Sequence, residues 1–271
     1  MTPAKPSLEP RRIVRRGAEQ FALVDEGPTD SPSPRSAIAV HGLPGSVRDF
    51  RWFAPCVADR MRLVRLDMPG FGQTSATMAA PTAAAAATHI ARVADALGVE
   101  RTVLVAHSYG ALVAVTAAAR YPDLVDGLVL IAPVGLRPHR GLRQMPVPGL
   151  IAAGLRTPLV RQPLMAGLEK AYAAAGFRHT TPDEIERTLA AINRWDFNAY
   201  RRRVRRLQVP VMCAWADDDP LVEPTIVDEL LAELPDGVPQ GPRLHFDTGG
   251  HNLQKTRAVE ISEAMMTWLE P

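Results

Sequence analysis

The pentapeptide Ala106-His107-Ser108-Tyr109-Gly110 follows the apolar run Thr102 to Val105 and leads straight into a helical pattern. A serine on so sharp a strand-to-helix turn holds its hydroxyl above the strand end, and the positions two before and two after it must be small. Gly110 meets that demand, and Ala106 meets it with a methyl group in place of the usual glycine. A hydroxyl is a weak nucleophile until a base takes its proton. Of the seven histidines, His251 is the candidate base, because Thr248-Gly249-Gly250-His251-Asn252 lies between the last predicted strand and the last predicted helix. The acid that orients the imidazole is expected after the strand that reaches Trp215, where Asp217, Asp218 and Asp219 stand side by side. Asp219 is assigned that role, and Asp217 and Asp218 are left to turn contacts or solvent. Together these residue types point to acyl transfer, which also needs two backbone N–H groups facing the developing oxyanion. Those of Tyr109, next to the serine, and Leu43, in the glycine-bearing loop His41-Gly42-Leu43-Pro44-Gly45, are the candidates.

These loops need strand ends to carry them. Short apolar runs alternate with helical patterns along the chain, the signature of a parallel sheet covered by helices. Strands are predicted at 21–24, 37–40, 62–66, 102–105, 128–131, 209–213 and 243–246, with a hairpin-type turn over 27–34. Helices are predicted at 50–60, from the alanine-rich run at 79–87 to Leu97 before Gly98, and at 109–120, 221–234 and 258–269. The strand rhythm stops between 131 and 209, where the chain reads as helices broken by proline and glycine. The expected organisation is a core domain of residues 1–133 and 208–271 carrying a helical cap of residues 134–207.

Composition narrows the classes. A chain of 271 residues with 46% hydrophobic and 22% charged residues suits one globular domain with an insertion. A net charge of +2 gives no reason to expect nucleic acid or a membrane surface as partner. The two cysteines, Cys56 and Cys213, make neither a disulfide framework nor a metal motif. The proline-rich start lacks the apolar core of a signal peptide, and no run approaches the roughly 20 apolar residues of a membrane span. The expectation is a cytoplasmic protein acting on a small molecule without cofactor or metal. Within 134–207, Trp195, Phe197 and Tyr200 are expected to pack the cap on the core, and the arginines of 201–206 to face solvent. Met145, Val147, Leu150, Ile151, Leu155, Leu164 and Met165 either line a pocket for a hydrophobic acyl or alcohol group or pack the cap down. His107 is read as structural, pointing away from the pocket.

Taken together, His41-Gly42-Leu43-Pro44-Gly45-Ser46, Asp67-Met68-Pro69-Gly70-Phe71-Gly72, Ala106 to Gly110, Trp215 to Pro220 and Gly250-His251 resemble the signature blocks of the α/β-hydrolase superfamily, in its order. The resemblance covers nearly the whole chain after residue 20. It implies an α/β fold: a mostly parallel eight-stranded sheet flanked by helices, with a helical cap after the sixth strand. It also implies that Leu43 contributes to the oxyanion hole and that Asp219 is the acid, counted from Ala216, which replaces the family's glycine. The chain is similar in style to capped epoxide hydrolases and haloalkane dehalogenases. Ser108 stands where those carry an aspartate, which disfavours both activities. No cysteine occupies that place, and Asn252 stands where plant-type hydroxynitrile lyases carry a lysine. The implied activity is that of a serine carboxylesterase. Lactone, thioester or diketone C–C hydrolysis, a perhydrolase or acyltransferase, and a non-catalytic ligand receptor are the alternatives.

Overall fold

The computed structural model describes residues 12–16, 19–28, 36–75, 81–145, 148–174, 177 and 180–270. Most of the 27–34 turn, the start of the alanine run at 79, Val147, His179 and the N-terminal segment before Arg12 lie outside the described residues. Eight strands form one sheet: β1 Arg12–Arg16, β2 Glu19–Glu26, β3 Ser36–Val40, β4 Arg62–Leu66, β5 Thr102–His107, β6 Val125–Ile131, β7 Val211–Ala216 and β8 Gln240–Phe246. Their spatial order is β1-β2-β4-β3-β5-β6-β7-β8. The two pairings of β2 are antiparallel, and every pairing from β4 through β8 is parallel. Parallel strands covered on both faces must be apolar along their whole length. In β3, β5 and β7 every residue is accordingly buried.

The pleat sends alternate side chains to opposite faces. In β5, Leu104 and Ala106 enter the core shared with α1 (Ala83–Ala96) and α2 (Tyr109–Arg120), while Val103 and Val105 enter the core on the opposite face. That second core is closed by α10 (Ala258–Leu269), preceded by the short α9 (Leu253–Thr256). A further helix, α8 (Pro224–Ala232), covers the first core beside β7.

The predicted helix at 50–60 is not one α-helix. Two short 3₁₀ helices, Val47–Phe50 and Ala54–Cys56, are joined by turns bonded mainly from residue i to i+3. Pro55, which has no N–H, lies in the second of them. The helix expected from 221 begins only at Pro224, since the N–H groups of Leu221 and Val222 are taken by the Asp219 carboxylate.

Between β6 and β7 the described residues form five helices: α3 Arg140–Gln144, α4 Pro148–Leu155, α5 Pro158–Ala174, α6 Pro182–Asn193 and α7 Phe197–Val204. They share a small apolar core of their own, in which Ile151, Leu155, Met165, Ile185 and Leu189 are buried and Met145 and Leu164 pack at the edge. Most of the apolar residues considered for a pocket therefore pack the insertion, while Leu150 is 72% exposed. The aromatic residues behave as expected. Tyr200 is fully buried with its hydroxyl donating to the Val134 carbonyl at 3.3 Å, and Trp195 stacks on Phe197 and meets Tyr109 edge-on. Of the arginine run, Arg201 and Arg205 pair with Glu233 just past α8. Among the described residues, no helix is long and apolar enough to cross a membrane.

Candidate active site

The parallel strands end together at one edge of the sheet, and that edge is where ligands of open α/β sheets sit. Leu43 follows β3, Ser108 follows β5, Asp219 follows β7 and His251 follows β8. Register brings the strand ends level, with Val40 beside Ala106, His107 beside Ile131, Ile131 beside Ala214 and Ala216 beside Phe246.

Ser108 adopts φ 53° and ψ −120°, a conformation that side chains other than glycine rarely take. Holding it costs about 1–3 kcal/mol, offset by the packing around it. Its N–H donates to the Ile131 carbonyl at 2.9 Å. A Cβ on Gly110 would collide with the Val40 carbonyl oxygen, so the small residue after the serine is a steric requirement. Ala106 is fully buried, and its methyl is accommodated within the core.

His251 bridges serine and acid. Its Nε2 lies 2.9 Å from Ser108 Oγ and its Nδ1 lies 2.7 Å from Asp219 Oδ2. A carboxylate can only accept, so Nδ1 carries the proton and Nε2 offers its lone pair to the hydroxyl. The other oxygen of Asp219 accepts from the N–H groups of Leu221 at 2.7 Å and Val222 at 2.9 Å. Burial pushes the Asp219 carboxyl up. The bond and charge of His251 and the two N–H donors outweigh it, and hold the group below the usual carboxylate range.

The three adjacent aspartates divide the work. Asp217 pairs with His245, whose ring stacks on Trp215. Asp218 accepts from the N–H groups of Gly249 at 2.9 Å and Gly250 at 2.7 Å, and so fixes the loop that carries His251. Both glycines have positive φ, 155° and 65°, which lets the loop present two successive N–H groups to one oxygen. His107 does not stand apart from the site. Its Nε2–H donates to the His251 carbonyl at 2.9 Å, and burial lowers its pKa to about 3, so the ring stays neutral.

The Leu43 loop is set by His41, whose Nδ1 donates to the Gly42 carbonyl at 2.7 Å while Nε2 accepts from the Met68 N–H at 2.9 Å. Gly42 lies so close to the elbow that a Cβ there would be 3.1 Å from Ser108 Cβ. The N–H groups of Leu43 and Tyr109 have no acceptor among the described residues. An apolar crevice begins at these two residues and continues along Met68, Phe71, Ala86 and Ala191, with Arg187 of α6 in its wall.

Residues that sequence reasoning missed lie at the base of the insertion. Arg140 N–H donates to Glu223 Oε2 at 2.7 Å, its guanidinium donates to the Asp219 carbonyl at 3.2 Å, and Arg143 pairs with Glu223 at 2.7 Å. His139 Nδ1 and Gly141 N–H both bond the Leu221 carbonyl, each at 2.9 Å. Helix α3 thereby clamps the loop that carries the acid. The cluster of arginines at 137, 140 and 143 before a proline was the only signal in the sequence. Among the described residues, no group of three or more His, Cys, Asp or Glu side chains is arranged to hold a metal ion.

Comparison with known proteins agrees with this fold. Residues 38–153 match the family model of the alpha/beta hydrolase fold. A putative carbamate hydrolase of Shigella flexneri is 30% identical over 248 residues, covering 86% of this chain and 90% of that protein. An acetyltransferase component of the acetoin-cleaving system of Cupriavidus necator is 35% identical over 100 residues. That match takes in 37% of this chain and only 27% of the relative's length. Among solved structures, a putative lipase of Acinetobacter baumannii superposes with a TM-score of 0.74 at 16% identity, over 96% of this chain and 90% of that one, a likeness of fold. The chain belongs to the α/β-hydrolase superfamily and is a hydrolase of that fold.

Proposed function

We propose that the chain is a serine hydrolase of carboxylic esters, with Ser108 as nucleophile, His251 as general base and Asp219 as the orienting acid. The reading is carried by the continuous relay from Ser108 Oγ through both His251 nitrogens to Asp219, at 2.9 and 2.7 Å. His251 Nε2 takes the serine proton as Oγ attacks the carbonyl carbon. The carbonyl oxygen, now negative, accepts from the N–H groups of Leu43 and Tyr109. Tyr109 also opens α2, so the positive end of the helix faces that charge. The tetrahedral species collapses, the leaving alcohol takes the proton from His251, and an acyl-serine remains. Water then repeats the sequence, with His251 again as base, and releases the acid. Asp219 keeps the imidazole in the productive tautomer and stabilises its protonated form.

In this reading residues 134–207 are a cap over the core of 1–133 and 208–271, and the substrate lies in the crevice walled by α6 and the Asp67–Gly72 loop. The apolar wall of Met68, Phe71 and Ala191 suits a hydrophobic acyl or alcohol group. A carbamate is the second reading. It is favoured by the name of the Shigella flexneri relative, and its carbonyl would use the same N–H pair.

The test is a panel of p-nitrophenyl esters of graded acyl length, with p-nitrophenyl carbamates, lactones and thioesters alongside, on the wild type and Ser108→Ala. Ester turnover that vanishes in the variant is expected. Ester turnover that survives in Ser108→Ala overturns the nucleophile, and preference for the carbamates favours the second reading.

A further inference from the structure

The crevice beside the oxyanion residues is apolar except for one charge. Among the described residues, Arg187 is the single charged side chain in its wall, and it comes from α6 in the insertion, not from the sheet. Helix α6 is firmly placed. Thr181 and Glu184 form a reciprocal cap at its start, Glu184 also accepts from the Gly72 N–H at 3.1 Å, and Ile185 and Leu189 are buried in the insertion's core. The face carrying Arg187 is turned to the Asp67–Gly72 loop. Gly70, at φ +81°, leaves the guanidinium the space that a Cβ would fill.

This guanidinium lacks what a structural one has. Its Nη1 is buried and has no hydrogen-bond partner among the described residues. Asp183, one turn earlier on α6 and exposed, acts on it only through space. Glu184 is committed to Thr181 and Gly72. Elsewhere in the chain, Arg62, Arg101, Arg137 and Arg205 each have a carboxylate bonded to them. For Arg187, burial instead pushes the pKa down. The side chain is half-buried, so holding its charge there without a partner carries a cost that an arriving counter-charge would relieve.

Resting on the ester reading above, we infer that Arg187 is a substrate-binding residue that pairs with a carboxylate on the substrate, at the end of an apolar chain that lies along the crevice from the oxyanion residues. The preferred substrates are then half-esters of dicarboxylic acids, not simple fatty esters. A planar carboxylate fits one guanidinium with two parallel bonds. A phosphate dianion, facing one cation in an otherwise apolar wall, is left half neutralised.

Two measurements test this. The first is kcat/KM for p-nitrophenyl hydrogen adipate against p-nitrophenyl hexanoate, which differ by the terminal carboxylate. The wild type is expected to favour the charged ester by roughly tenfold or more, an advantage lost in Arg187→Met mainly through KM and partly kept in Arg187→Lys. The second is calorimetric titration with adipate, hexanoate and inorganic phosphate. Adipate is expected to bind the wild type more tightly than the other two and to lose that advantage in Arg187→Met. Equal ratios in wild type and Arg187→Met, no preference for adipate in the wild type, or tighter binding of phosphate overturns the assignment. The wild-type comparisons decide even if Arg187→Met fails to fold. A protein that binds adipate through Arg187 but hydrolyses no ester loses the ester reading and keeps the carboxylate site. One that hydrolyses both esters alike does the reverse.

Discussion

At the carboxyl edge of the sheet, the polar groups that would do chemistry are almost all paired. Asp219 accepts from three donors, both nitrogens of His251 are engaged, and Asp218 holds two N–H groups of the histidine loop. Among the described residues near that edge, His107 Nδ1, Trp215 Nε1 and Gln254 Oε1 are buried without a partner, and none of these atoms belongs to the Ser108–His251–Asp219 relay. On the insertion the balance is different. Arg187 Nη1, Thr188 Oγ1 and Trp195 Nε1 are all buried without partners among the described residues. Reaction machinery that must be aligned before substrate arrives gains from full pairing, because reorganisation is then complete beforehand. A surface whose partner is the substrate keeps groups in reserve. Under the proposed function, this difference assigns bond-breaking to the sheet edge and the choice between charged and neutral substrates to Arg187 on the insertion, so the two should respond separately to substitution.

The largest effects are expected at the sheet edge. Ser108→Ala should lower kcat by roughly 10⁴- to 10⁶-fold on any ester turned over, measured by steady-state kinetics. Asp219→Asn should cost roughly 10²- to 10⁴-fold, since an amide favours the wrong imidazole tautomer. Asp218→Ala removes the acceptor that holds Gly249 and Gly250, and a misplaced His251 should lower kcat by about 10- to 100-fold with KM little changed. Asp218→Asn, which keeps an acceptor oxygen, should recover most of the loss, and equal losses in both variants would contradict the positioning role. From the insertion side, Arg187→Met should change the ratio between charged and neutral esters far more than the rate of either chemical step.

The smallest effect belongs to the clamp between the two layers. Burial pushes the Glu223 carboxyl up, but the N–H groups and arginines around it prevail, and its pKa falls from 4.5 to about 2. A carboxylate with a lowered folded pKa stabilises fully above its unfolded value and loses that contribution as pH falls. Glu223→Gln should therefore cost about 1–3 kcal/mol at neutral pH. The gap in melting temperature from wild type should narrow as pH drops from 4.5 toward 2. A gap that is constant across that window would show that Glu223 acts through packing alone.

The sheet and its edge were legible because their constraints are local. An elbow serine needs small neighbours, a turn needs glycine, and buried parallel strands need unbroken apolar runs, so Ser108, His251 and the helices at 109–120 and 258–269 stand where the sequence predicts them. Asp219 could be read only as the favoured one of three carboxylates. The distinct roles of Asp217 and Asp218 depend on partners about 30 residues away, His245 and the Gly249-Gly250 pair, which no local pattern reveals. The segment at 50–60 has helical composition, but Pro55 and tight turns after β3 keep it 3₁₀. The insertion was legible as helices and illegible as a pocket. Met145, Ile151, Leu155, Leu164 and Met165 carry the same apolar signal whether they face ligand or each other, and they face each other. Arg187 carries no local signal, because Gly70, which makes room for its guanidinium, lies more than 100 residues earlier in the chain.

The proposed function requires Ser108 to be an activated nucleophile. The most direct measurement is mass spectrometry of the intact protein and its peptides after reaction with a fluorophosphonate, which modifies a serine only when a base has prepared it. A single adduct on Ser108 is expected, absent from Ser108→Ala and formed much more slowly in Asp219→Asn. A folded protein that takes no adduct, or takes it on another residue, would contradict it.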